Sequence, residues 1–200
     1  MKKGAVFIFA FVVLAIFISL YFDSEIVKGI SLIRNNFLND FFMGITFVSS
    51  KIIVFFFLTG LFLWKKQKLV LPLWITLGLA VAVSFLLKVV VQRQRPFQLG
   101  IVSVLPVLEK ISHAIWNFSF PSFQTMLVFC VIPVISKQFP KLKYYWIAFA
   151  VLVGFSRIYF GLHFLSDVIA GAAIGYFLGI IILKLEEKYK FGEKILIKFN

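Results

Sequence analysis

The sequence predicts an all-α, polytopic integral membrane protein of about six transmembrane helices plus interfacial helices, in one domain over residues 1–200. Three observations predict it. The 200 residues are 62% hydrophobic with a mean hydropathy of +1.01, more apolar surface than a soluble domain of this length can hide. Apolar runs recur that are long enough to cross a bilayer, which takes about 18 residues or more. Most lysines lie in short segments between those runs and in the tail, as membrane topology requires. A net charge of +13 would indicate a nucleic-acid partner in a soluble chain; here topology accounts for it, and no nucleic acid is expected. The one cysteine, Cys130, sits in an apolar run as a small packing residue.

The first span reads Ala5 to Tyr21, behind Lys2 and Lys3. It ends in Leu20-Tyr21-Phe22-Asp23 without a small-residue cleavage site, so it reads as a retained span. From Asp23 to Asp40, Ile26, Val27, Ile30, Ile33, Phe37 and Leu38 recur at helical spacing between polar residues, which predicts an amphipathic interfacial helix. The second span runs from Phe41 to Trp64 and the third from Leu69 to Val91. Gln92 to Phe120 holds apolar stretches too short to span, Ile101 to Leu108 and Ile111 to Trp116, and is expected on the membrane surface. The fourth span covers Ser122 to Ile135, the fifth Tyr144 to Phe160 and the sixth His163 to Leu185, with a tight connection at Gly161 and Leu162.

Lysine placement sets the orientation. With a cytoplasmic N-terminus, the inner segments carry Lys2, Lys3, Lys65, Lys66, Lys68, Lys137, Lys141, Lys143 and the five lysines from Lys184 to Lys198. That is 13 of the 21 lysines and arginines, an excess that fits the positive-inside rule. Both termini are then cytoplasmic, and the expected location is a plasma or cytoplasmic membrane. Lys88, Arg95, Ser122, Arg157, His163 and Asp167 fall together near the outer face.

That convergence marks a site, because charges are costly in a membrane. His163 and Asp167 are four apart at the start of a helix and share a face. A carboxylate on one imidazole nitrogen fixes the tautomer and makes the other nitrogen a better nucleophile. The bland alternative makes Asp167 a helix cap and His163 an interface residue. Arg95 precedes Pro96, which predicts the end of the third helix there, with Lys88 two turns below on nearly the same face. Arg157 closes the fifth helix. Two guanidiniums and an ammonium around one point suit a phosphoryl group. Arg93 reads instead as a side chain snorkelling to lipid headgroups. Lys51 has two equal readings, a site cation inside the second span or a snorkelling lysine on a helix that starts later. His113 is either solvated or folded over the site from the surface segment.

Lys88-x6-Arg95-Pro96, then Pro121-Ser122, then Ser156-Arg157-x5-His163-x3-Asp167 resemble the signature of the type 2 phosphatidic acid phosphatase superfamily, which includes the vanadium haloperoxidases. The first and third elements match at every fixed position, and the resemblance extends over the second to sixth spans. It implies a six-helix membrane fold. It also implies a phosphohistidine at His163, oriented by Asp167, with Lys88, Arg95, Arg157 and Ser122 holding the phosphoryl oxygens and neither metal nor cofactor required. The second element departs from Pro-Ser-Gly-His, with Phe123 for glycine and Gln124 for histidine. In the family that histidine protonates the leaving oxygen; an amide donates a hydrogen bond but delivers no proton.

Three accounts of Gln124 stand. The leaving group needs no acid, as when a lipid monophosphate departs from a lipid diphosphate such as a polyprenyl diphosphate. Or His113 supplies the proton. Or the protein is a catalytically silent relative that binds lipid phosphates. The expected function is a lipid phosphate or diphosphate phosphatase at the outer leaflet; a lipid-linked phosphotransferase fits the same residues. The expected partners are the lipid substrate and the bilayer. Oligomeric state is not encoded in any of these features.

Overall fold

The computed structural model describes residues 2–105, 108 and 117–194. Among them the regular structure is helical. The helices are α1 (Lys2–Ser31), α2 (Asn36–Val48), α3 (Lys51–Lys65), α4 (Val70–Val91), α5 (Phe123–Cys130), α6 (Ile132–Gln138), α7 (Leu142–Tyr159) and α8 (Leu165–Tyr189). By length and composition three stretches can cross a membrane, Ala10–Ser31, Gln67–Val91 and Leu165–Tyr189. The bent pair α2–α3 counts as a fourth if its two helices are taken as one broken span. The apolar pair α5–α6 and helix α7 complete a bundle of six helical segments. Its outside carries exposed Phe11, Phe56, Phe57, Val90 and Phe177, side chains suited to lipid.

The element boundaries differ from expectation in three places. First, no separate interfacial helix covers Asp23 to Asp40. Helix α1 runs through Asp23 to Ser31, and α2 begins at Asn36, capped by the Asn35 side chain accepting from Leu38 N at 2.9 Å. Asp23 does not end the helix because its carboxylate is paired inside the bundle. Second, the span from Phe41 to Trp64 is broken at Ser49-Ser50, with a 57° bend. Ser50 caps α3, so Lys51 is its first residue, at the bend. Third, the described residues of the segment after α4 pack against the bundle end. Ile101 and Val102 pack on Val27, Ile158 and Phe164, while Leu108 joins Phe42 and Tyr159. Arg34 fastens it, donating from Nε to Tyr159 O and from Nη1 to Ser103 O, both at 2.7 Å. Gly161 makes the expected tight connection at φ +69°, where a Cβ would also meet Val102 at 2.4 Å.

The closest helix pairing is α5 against α8, and small residues allow it. A Cβ at Gly171, Gly175 or Gly179 would come within 2.6, 2.4 and 2.0 Å of the carbonyl oxygens of Ser122, Met126 and Cys130. This is the small-xxx-small contact by which membrane helices bring their backbones together. It brings the start of α5 onto the first turn of α8, where Ser122 N donates to Asp167 O at 3.1 Å. Overpacking this seam should cost about 1–3 kcal/mol. Gly175→Ala and Gly179→Ala should therefore each lower the thermal unfolding midpoint in detergent. Gly60→Ala, with open space around it, should leave the midpoint nearly unchanged. Equal midpoints for all three variants would refute backbone contact between α5 and α8.

Candidate active site

The expected cations converge, by a different route for one pair. Helix α4 stops at Val91, where Gln92 adopts a left-handed conformation at φ 49°. Lys88 and Arg95 therefore meet through a loop, not along two turns of one helix face as expected. Lys88 is buried on the last turn of α4 and its Nζ donates to Phe118 O. Arg95 is buried in the loop; its Nε donates to Asn117 O at 2.9 Å and its Nη1 to Leu162 O at 3.1 Å. Burial lowers the Arg95 pKa to about 10, which leaves it cationic.

His163 and Asp167 lie on the turn into α8. Leu162 N and His163 N both donate to Arg157 O, at 3.0 and 3.2 Å, which ties the histidine backbone to the end of α7. His163 Nδ1 is 3.8 Å from Asp167 Oδ2, too long for a hydrogen bond. Ser119 fills the gap. Its Oγ lies 3.5 Å from His163 Nδ1 and donates to Asp167 Oδ2. Asp167 Oδ2 also accepts from Phe164 N at 2.9 Å, so the carboxylate caps the helix as well as facing the histidine. The cap and the approach to His163 thus coexist in one carboxylate. Burial pulls the His163 pKa down to about 3, and the Arg95 and Lys88 charges pull the same way against Asp167. The imidazole is thereby neutral, with Nε2 the nitrogen not turned to the carboxylate.

Arg93 does not snorkel to lipid. Its Nη1 donates to Asp167 Oδ1 at 2.7 Å and its Nη2 to Asp23 Oδ2 at 2.8 Å. The reason is the cost of two buried carboxylates, which a bidentate guanidinium offsets. Arg157, buried at the end of α7, donates to Gln124 Oε1 and to Thr46 Oγ1. Gln124 Nε2 in turn reaches Thr46 O at 3.4 Å and Ser49 Oγ at 3.3 Å. Gln124 is thus committed to holding Arg157 against the α2–α3 bend. Ser122 is fully buried beside them, its Oγ 2.8 Å from Thr125 Oγ1. Lys51 is exposed on the first turn of α3. His113 lies outside the described residues.

Sequence reasoning missed Ser119, Asp23, Ser166 and Thr46, and misread Arg93. One signal was available: Asp23 and Asp167 both adjoin apolar runs, and each needs a cation. Ser119 and Thr46 carried none, since a lone hydroxyl in a loop or an apolar helix has many bland roles. An apolar groove of about 790 Å³, lined by residues including Val12, Ile147, Val151, Ile169 and Tyr176, holds none of these site groups.

The model of the PAP2 superfamily matches residues 69–190, which takes in Lys88, Arg95, Ser122, Arg157, His163 and Asp167. The chain belongs to the PAP2 superfamily. It is 32% identical over 183 residues to phosphatidylglycerophosphatase B of Bacillus subtilis (strain 168), covering 84% of this chain and 85% of that one. It is 36% identical over 95 residues to the bacitracin transport permease protein BcrC of Bacillus licheniformis, covering 47% and 46%. Among solved structures it resembles a transmembrane PAP2 type phosphatidylglycerolphosphate phosphatase from Bacillus subtilis, with a TM-score of 0.68 and 27% identity. That alignment covers 91% of this chain and 97% of that one. It also resembles Aquifex aeolicus LpxE, with a TM-score of 0.69 and 33% identity, covering 80% and 93%. The protein is an integral membrane phosphate ester hydrolase.

The state of His163 is directly measurable. Because the fold lowers its pKa from 6.5 to about 3, the stability it contributes is present above pH 6.5 and is lost as pH falls toward 3. The chain has two histidines, so His113→Ala leaves one to observe. Its ¹⁵N resonances in detergent should report a neutral ring from pH 8 down to 5. A titration centred near 6.5 would contradict a buried, neutral His163.

Proposed function

We propose that the protein removes the terminal phosphate from a membrane lipid phosphate or diphosphate, through a phosphohistidine at His163, with a preference for a diphosphate such as a polyprenyl diphosphate. The observation that carries this reading is the buried His163, its Nδ1 backed by Ser119 and Asp167, beside buried Lys88, Arg95 and Arg157. The lone pair of Nε2 attacks phosphorus and the bond to the lipid oxygen breaks, its electrons leaving on that oxygen. Lys88, Arg95 and Arg157 hold the remaining phosphoryl oxygens as charge shifts, with Ser122 beside them. Water then attacks phosphorus, the N–P bond breaks, and inorganic phosphate leaves.

The diphosphate preference rests on Gln124. Its carbonyl accepts from Arg157 and its amide faces Thr46 and Ser49, so it supplies no proton to a leaving alkoxide. A lipid monophosphate leaves as a stable anion without one. The relative named phosphatidylglycerophosphatase B favours a second reading, a phosphate monoester of phosphatidylglycerol as substrate. The lysine excess at one end supports an outward-facing site in a cytoplasmic membrane with both termini inside.

Phosphate release by the purified protein should be compared on polyprenyl diphosphate, phosphatidic acid and phosphatidylglycerol phosphate. Turnover should fall by at least about 10³-fold in His163→Ala. Gln124→His should raise turnover of monophosphate esters most, by up to about 10²-fold, the scale of general acid catalysis. Failure of the wild type on every substrate, with lipid phosphate still bound, would favour a silent binder or a transferase lacking its acceptor.

A further inference from the structure

Asp23 lies on α1, far in sequence from the motifs and outside residues 69–190 of the family match. It is 2% exposed, deep enough that its charge must be compensated within the protein. Arg93 compensates it, but Arg93 is already committed to Asp167. The guanidinium is fixed between the two carboxylates. Its carbon stands 4.1 Å over the Phe164 ring, and its Nη1 also donates to Ser166 Oγ at 2.7 Å. Ser166 closes the ring of contacts, donating from N to Asp23 Oδ1 at 3.0 Å and from Oγ to Asp23 Oδ2. Arg93, Asp23 and Ser166 therefore have one joint arrangement, and it ends on the carboxylate behind the nucleophile.

The charges decide what that arrangement does. Asp167 paired to Arg93 alone would present a neutral pair to His163. Phosphorylation at Nε2 makes the ring cationic, with a proton on Nδ1, and a neutral pair stabilises that cation poorly. Asp23 adds the second negative charge. Two carboxylates and one guanidinium leave one net negative charge behind the ring, opposite Lys88 and Arg95 on the phosphate side.

We propose that Asp23 is a positioning residue that acts through Arg93 to keep Asp167 effective as the anionic partner of His163. This assignment rests on the phosphohistidine reading. The test is a double-mutant cycle on the full-length protein in detergent, using Asp23→Asn, Arg93→Gln and both together, with kcat, KM and the inhibition constant of inorganic phosphate as readouts.

Asp23→Asn should lower kcat about tenfold or more while KM and the phosphate constant stay within about twofold. In the Arg93→Gln background the same substitution should change kcat by less than about twofold, because no guanidinium remains to be neutralised. A folded Asp23→Asn variant with near-wild-type kcat would overturn the assignment, as would an equal loss in both backgrounds. Where Asp23→Asn alone does not fold, the comparison within the Arg93→Gln background decides: no further loss supports the assignment, and a tenfold loss refutes it. Turnover that survives His163→Ala would refute the phosphohistidine reading itself. With that control inactive, only the role of Asp23 is at stake.

Discussion

A carboxylate with no solvent exposure, on the first turn of a membrane helix, organises this end of the protein. Asp167 cannot remain ionised there without partners, and an uncompensated buried charge costs several kcal/mol. Its partners come from three places in the chain: Arg93 after α4, Ser119 before α5, and the backbone of Phe164 at the start of α8. Each partner fixes a segment that would otherwise be an unconstrained connection. Arg93 then draws in α1 through Asp23. The local cost of one acidic residue is thus offset by contacts that also define the relative positions of four helices.

Packing does the complementary work along the helix axes. The glycines at 171, 175 and 179 let α8 lie against the backbone of α5, which fixes the height of Ser122 relative to Asp167. On the proposed reading a site built from helix ends needs that control, since displacement of about 1 Å is enough to cost catalysis heavily. Apolar packing supplies the rest, with Leu58, Phe62, Leu73, Met126 and Val131 fully buried below the site.

Much of this was legible in the sequence because membrane proteins constrain their charges so strongly. The spans from Leu69 and from His163 were readable from apolar run length, and the cations around His163 from their rarity. Lys51 was ambiguous because a bend at Ser49-Ser50 looks, by composition alone, like uninterrupted apolar helix. Arg93 was misread because snorkelling and ion pairing need the same residue in the same place. Only the partner distinguishes them, and Asp23 lies 70 residues away. The interfacial helix failed for the same reason, since an acidic residue ends a span unless something distant neutralises it. Long-range polar pairing leaves no periodic trace, whereas apolar faces do.

Gln124 shows how a motif position can keep part of its work. Its Oε1 accepts from Arg157, and the bend at Ser49 turns Thr46 and Ser49 toward the same side chain. An amide is well suited to this, with an acceptor for the guanidinium and donors for the Thr46 carbonyl and the Ser49 hydroxyl. It remains neutral across the pH range, so Arg157 is held without a second charge to balance in a buried site. What the amide lacks is a transferable proton. On the proposed reading, His163, the partners of Asp167 and three cations remain while no acid stands at this position, which would favour substrates whose leaving oxygen is already stable as an anion.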